Sequence, residues 1–215
     1  MTDKNLVEIV AVVDRSGSMG ATKEKTIEAI GGFNAFLKEQ QELPGKANLT
    51  LVLFDHEYIL KHDGVDIQDV QPFDEKTYVP RGMTALLDAV GRTVDDVGKR
   101  LADTPDEERP WRVIFCVLTD GMENASHDYT KSRVQEMVKH QEEKYGWKFQ
   151  YLAAGLDAFH AADLVGMQGS AQQFSNDAQG TQRLYAAAAS YTSSMRYDDD
   201  DDDESSGGSK WKHRS

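Results

Sequence analysis

The segment Val7-Glu8-Ile9-Val10-Ala11-Val12-Val13 runs directly into Asp14-Arg15-Ser16-Gly17-Ser18. A stretch this rich in β-branched residues, ending on a carboxylate and two hydroxyls ahead of a helical pattern, predicts a buried strand that opens into a loop. In an open α/β sheet, ligands sit at the carboxyl ends of such strands. Asp14, Ser16 and Ser18 alternate along the chain, so an extended or looping backbone can turn all three oxygens toward one spot. One charged and two neutral oxygens suit a hard divalent cation such as Mg²⁺, which prefers an octahedron of oxygens and keeps several waters. Ser and Asp are also common helix caps, so this loop alone leaves both readings open.

The rest of the chain alternates the two periodicities. Ile27, Ile30, Phe33, Phe36 and Leu37 recur at helical spacing and predict an amphipathic helix over 22–41, stopped by Pro44-Gly45. Residues 48–55 read as a second strand, with 58–62 folding back on it as a hairpin. A loop through Pro72 and Pro80-Arg81-Gly82-Met83 feeds a helix from Thr84 that buries Leu86, Leu87, Val90, Val94, Val97 and Leu101. Val113-Ile114-Phe115-Cys116-Val117-Leu118 is wholly apolar, the mark of a central parallel strand covered on both faces, and it leads to Asp120-Gly121. A helix over 130–144, a strand over 149–154, a short helix over 158–165, an edge strand over 171–174 and an Ala-rich helix over 181–195 complete the order.

The predicted class is α/β: a doubly wound, mostly parallel, Rossmann-like central sheet with one antiparallel edge hairpin. It occupies one domain, residues 1–196. Residues 197–215 carry an unbroken acidic run from Asp198 to Glu204 and then Ser and Gly, and they predict a disordered acidic tail.

The formal net charge is −13, and the seven acids of that run supply about half of it. A nucleic-acid-binding surface needs a basic patch or stripe, and an anionic membrane has the same need, so neither is an expected partner. No apolar stretch approaches the roughly 20 residues that span a bilayer. The first residues lack the basic and apolar regions of a signal peptide. Cys116 is the single cysteine, which excludes an intramolecular disulfide. A cytoplasmic location is the expectation.

Two further loops belong at the same rim of the sheet. Arg81-Gly82-Met83-Thr84 places a hydroxyl at a helix start, after a glycine that lets backbones approach. Thr119-Asp120-Gly121 places a second carboxylate at the end of the buried strand. The oxygen set becomes Asp14, Ser16, Ser18, Thr84 and Asp120. In order, spacing and placement these residues resemble the metal-ion-dependent adhesion site of von Willebrand factor A domains: Asp-x-Ser-x-Ser, then Thr, then Asp. The resemblance covers residues 6–195. It implies Mg²⁺ or Mn²⁺ held by the five residues directly or through water, with one position open to a carboxylate. It also implies a metal-dependent adaptor whose protein partner offers a Glu or Asp, in multi-protein assemblies that include ATPases.

A phosphatase of the haloacid-dehalogenase type is the enzymatic alternative, since it too places an Asp at the end of the first strand. That chemistry needs a second Asp two residues on. Ser16 stands there, and Glu123-Asn124 only partly echoes its acidic pair. No other catalytic motif is present, and the chain is not expected to be an enzyme. A metal-free scaffold is the third reading.

Several neighbours carry two readings each. Asp88 is a solvated helix acid or a hydrogen-bonding support one turn beyond Thr84. Asp55 is a turn residue or a neighbour of the site, and Asp157 a cap or part of the rim. Met19 and Met83 either fill space under the loops or offer an adaptable apolar contact beside the ion. An acid of the tail could reach and block the site, and Lys210-Trp211-Lys212-His213-Arg214 could dock a partner.

Overall fold

The computed structural model of the chain describes residues 2–155 and 158–198. The tail from 199 on, with its basic end, and the Asp157 reading lie outside the described residues.

Six strands form one sheet in the order β3-β2-β1-β4-β5-β6. They are β1 (Asp3–Asp14), β2 (Lys46–Phe54), β3 (Tyr58–Asp66), β4 (Pro110–Thr119), β5 (Lys148–Ala154) and β6 (Ala171–Phe174). Every neighbouring pair is parallel except β2 and β3, the predicted hairpin. The helices are α1 (Lys23–Glu42), α2 (Leu86–Asp103), α3 (Lys131–Tyr145), α4 (Ala158–Leu164) and α5 (Ala178–Met195).

Alternation along β1 divides its side chains between two cores. Ile9, Ala11 and Val13 pack with Phe33, Phe36 and Leu37 of α1 and with Leu184 and Ala188 of α5. Val10 and Val12 face the other way, against Leu86, Val90 and Val94 of α2 and Val134 of α3. Each buried aliphatic side chain contributes about 1.5–3 kcal/mol. Because both faces are covered, residues 9–13 of β1 and 113–118 of β4 hold no exposed polar side for water, which explains their apolar runs.

Glu8 places a charge within the buried part of β1. Glu8 is fully buried and is answered by Arg100 of α2 at 2.7 Å and by the Thr50 hydroxyl at 2.6 Å. Among the described residues, no helix is long and apolar enough to cross a membrane.

The strand order sets the position of any ligand site. From β1 the chain moves through α1 to β2 on one side, then returns through α2 to β4 on the other. The carboxyl ends of β1 and β4 therefore border the crevice where the winding reverses.

Candidate metal site

Asp14 is the last residue of β1 and is fully buried. Its Oδ1 accepts the Ser16 backbone N–H at 2.6 Å, and its Oδ2 accepts the Thr119 hydroxyl at 2.5 Å. Tyr78 donates to the Asp14 carbonyl at 2.7 Å and pins the strand end. Burial pushes the Asp14 carboxyl up to about 6, the hydrogen bonds from Thr119 and Ser16 pull it back, and the Asp120 charge adds to the rise. Among the described residues, the ion pairs at this end of the sheet reach Asp55, Glu57 and Asp120 rather than Asp14.

Beyond Asp14 the chain makes a 3₁₀ turn over Gly17–Gly20, with Ser16 extended before it. The Ser16 and Ser18 hydroxyls lie 3.0 Å apart, and Ser18 donates to Asp120 Oδ1 at 2.6 Å. Thr84 is held by Asn124: its N–H donates to Asn124 Oδ1 at 2.9 Å, and the Asn124 N–H donates to its carbonyl at 3.0 Å. A Cβ at Gly121 would stand 2.6 Å from Thr84 Oγ1 and 3.2 Å from Asp14 Oδ2. The glycine keeps the space between Thr84 and Asp14 open, and Ser16, Ser18 and Asp120 join the same cluster through their own hydrogen bonds.

Ion pairs and backbone bonds lock the first two loops together. Arg15 and Arg81 both pair with buried Asp55, at 3.0 and 3.2 Å. Arg81 N–H donates to the Arg15 carbonyl at 2.8 Å, and Gly17 N–H to the Gly82 carbonyl at 3.1 Å. Gly82 has φ +69°, and a Cβ there would lie 2.1 Å from His56 Nδ1. The left-handed backbone and the lack of space both demand glycine. Asp55 thus positions the site loops.

Asp88 is a hydrogen-bonding support rather than a solvated helix acid. Its carboxylate accepts the N–H groups of His127, Asp128 and Tyr129 at 2.7–2.9 Å and ties down the loop after β4. Glu123 accepts the Leu87 N–H at 2.9 Å and so caps α2 from across the site. The acidic echo of a phosphatase is therefore occupied with loop structure. Met19 is buried beneath the turn, whereas Met83 is 56% exposed.

Sequence reasoning missed Lys25, Thr119, Asn124 and Asn176. Lys25 is buried, and its ammonium donates to the Ser18 carbonyl at 2.9 Å, to Asn176 Oδ1 at 2.7 Å and to Asp120 Oδ2. One signal was available. A lysine in the first turn of a helix opposes the helix dipole and needs a partner elsewhere. A cleft of about 190 Å³ opens beside Asp120, floored by Ala153 and Ala154 and flanked by Met122 and Asn176.

The donor set fits a hard cation. It offers only oxygens, two of them from carboxylates, and a glycine leaves the space between Asp14 and Thr84 clear. Among the described residues, no group of three or more His, Cys, Asp or Glu is placed to hold a metal.

No protein-family model matches the sequence, and no curated protein does. Solved structures do. The PilB minor pilin from Streptococcus sanguinis matches with TM-score 0.62 and 12% identity, over 89% of this chain and 62% of that one. Proximal thread matrix protein 1 from the mussel byssus, with a zinc-occupied MIDAS motif, gives 0.57 and 16%, over 89% and 47%. A von Willebrand factor type A protein from Catenulispora acidiphila gives 0.54 and 16%, over 87% and 42%. The chain spans between about two fifths and three fifths of these structures. The fold is that of von Willebrand factor A domains.

Proposed function

We propose that this chain is a metal-dependent protein-interaction module, in which Asp14, Ser16, Ser18, Thr84 and Asp120 hold Mg²⁺ or Mn²⁺ and a partner's Glu or Asp completes the site. The observation that carries this reading is the chain of contacts at the topological switch point: Thr84 and Asp14 meet at Gly121, Asp14 accepts the Ser16 N–H, and the Ser16 hydroxyl leads through Ser18 to Asp120. The zinc-occupied motif of the mussel protein lends support from the same fold. The bound ion supplies an electrophilic position for a carboxylate oxygen.

The chain's own groups do the rest. Ser16, Ser18 and Thr84 offer neutral lone pairs, which leave the charge of a bound cation less than fully quenched. Asp14 is buried and hydrogen-bonded, so it stays in place without reaching outward. Asn124 fixes the Thr84 backbone, and Gly121 leaves room for its hydroxyl. Met122 lines the cleft beside Asp120, and Met83, next to Thr84 in sequence, is 56% exposed; both offer adaptable apolar surface. A carboxylate between such groups is a charge-assisted anchor in a partly dry rim, where one residue can carry much of the affinity. A cytoplasmic adaptor within a multi-protein assembly, ATPases among the partners, is the role this reading assigns. Catalysis has no part in it, because Ser16 cannot replace the acid that a phosphatase needs.

A metal-free scaffold is the second reading, and the Lys25 ammonium against Asp120 is the observation that favours it. Titration of Mn²⁺ into wild type and Asp14→Ala decides between them. The metal reading expects saturable binding at one site that Asp14→Ala abolishes. Equal binding by both proteins, or none by either or by Lys25→Gln even with acetate present as a carboxylate ligand, would overturn it. Turnover of a generic phosphomonoester, lost in Asp14→Ala, would move the assignment to the phosphatase.

A further inference from the structure

Lys25 has no role in the proposed metal chemistry, yet it is bound into the same cluster. Lysine is almost never fully buried unless it is paired, and this one is 4% exposed. Its ammonium has three N–H groups, and each has an acceptor from a different segment: the Ser18 carbonyl, the Asn176 amide and Asp120 Oδ2. The first turn of α1 disfavours a cation there, so the surrounding oxygens alone hold it in place.

The other end of the pair is equally committed. Asp120 Oδ1 accepts Ser18, and Oδ2 accepts Lys25. Its charge is already balanced within the chain, and the uncompensated carboxylate of the set is Asp14. Two carboxylates alone would neutralise a divalent cation. With Lys25 counted, the empty cluster carries a formal charge of −1 and the loaded one +1. A surplus charge in a desolvated site is unfavourable until an anion joins it.

We propose that Lys25 is a resident counter-cation of the metal site, which weakens divalent-cation binding on its own and makes it depend on an acidic ligand. The proposal rests on the metal reading above. It assigns Lys25 a positioning and charge-setting role without contact with the ligand. By linkage, the ligand then raises the affinity for metal by the same factor as metal raises the affinity for the ligand. Such a module stays largely unloaded until its partner arrives.

The test is Mn²⁺ titration of the full chain, read as free Mn²⁺ by electron paramagnetic resonance, in chloride buffer and with acetate added as the carboxylate probe. Wild type is compared with Lys25→Gln, Lys25→Met and Lys25→Arg, each checked for native fold by circular dichroism. In chloride, the neutral variants are expected to bind Mn²⁺ about tenfold more tightly or better, with Lys25→Arg close to wild type. Acetate should tighten Mn²⁺ binding to wild type and Lys25→Arg more than to the neutral pair. A merely structural lysine predicts the opposite sign, since a misplaced Asp120 would bind metal less well. Should Lys25→Met fail to fold, Lys25→Gln keeps an amide donor for Asp120 and carries the comparison.

Mn²⁺ binding by wild type with no gain in the folded neutral variants overturns the proposal and leaves the metal reading standing. No binding by any of the proteins, with or without acetate, overturns both. A silent wild type beside a binding Lys25→Gln supports the proposal.

Discussion

Gly121→Ala is the sharpest perturbation of the site, because it alters none of the five oxygen-bearing residues. The added Cβ would stand 2.6 Å from Thr84 Oγ1 and 3.2–3.3 Å from Asp14 Oδ2 and Thr84 Cγ2. Ordinary contact begins near 3.4 Å, so the Thr84 hydroxyl must retreat by about 0.8 Å. Metal–ligand distances tolerate only about 0.2 Å. Both hydrogen bonds to Asn124 hold the Thr84 backbone, so the retreat falls on the side chain that offers the oxygen. Overpacking of this kind costs about 1–3 kcal/mol, and in a domain of this size each kcal/mol lowers Tm by about 2–4 °C.

The assay is thermal unfolding with EDTA and with excess Mn²⁺, paired with Mn²⁺ titration. Gly31→Ala is the matched control, since a Cβ there meets nothing within 4 Å on the exposed face of α1. It should raise stability by about 0.5–1 kcal/mol through helix propensity and leave Mn²⁺ affinity unchanged. Gly121→Ala should lower Tm in EDTA, weaken Mn²⁺ at least about tenfold, and show little Mn²⁺-induced rise in Tm. Wild-type affinity together with wild-type Tm in Gly121→Ala would refute the placement of Thr84 against Asp14.

Three further outcomes follow from other contacts. Asn124→Ala removes the acceptor of the Thr84 N–H and should weaken Mn²⁺ about 10- to 100-fold, with a smaller loss of Tm; unchanged Mn²⁺ affinity would show that Thr84 needs no such support. Arg100→Ala leaves buried Glu8 without its cation and should cost about 3–5 kcal/mol by urea unfolding, with much of the loss recovered in Arg100→Ala/Glu8→Gln. Cys116 is fully buried and its thiol is pushed up to about 12 by burial, against an ordinary 9.0. At pH 9 its thiolate fraction is roughly one in a thousand, so alkylation of the native protein should be slow and appear only on unfolding. Rapid modification at pH 9 without unfolding would contradict that burial.

Much of this structure is legible in the order of residues. The β-branched runs of β1 and β4 can be satisfied only as strands covered on both faces, and helical spacing of apolar residues places α1 and α2 within a residue or two of where they lie. Asp14, Ser16, Ser18, Thr84 and Asp120 could be picked out because each stands at a strand end or a helix entry, where a doubly wound sheet delivers side chains to one rim. That is local information: periodicity and position within an element.

The partners of those residues are a different matter. Lys25 meets Asp120 across 95 positions of sequence and Asn176 across 151. Asp88 reads as a solvated helix acid or a hydrogen-bonding support, and only the loop after β4, folding over it with three N–H groups, decides between them. Thr119 reads as one more buried strand residue until its hydroxyl is found on Asp14. No periodicity encodes such pairings, because they depend on how the loops of separate βαβ units settle against each other. Sequence alone thus determined the sheet, its two apolar faces and the oxygens that gather at its rim. Tertiary structure decided the charge of that rim: burial strips water from Asp14, Asp120 and Lys25, and only the packing of three distant segments determines which carboxylate the lysine neutralises.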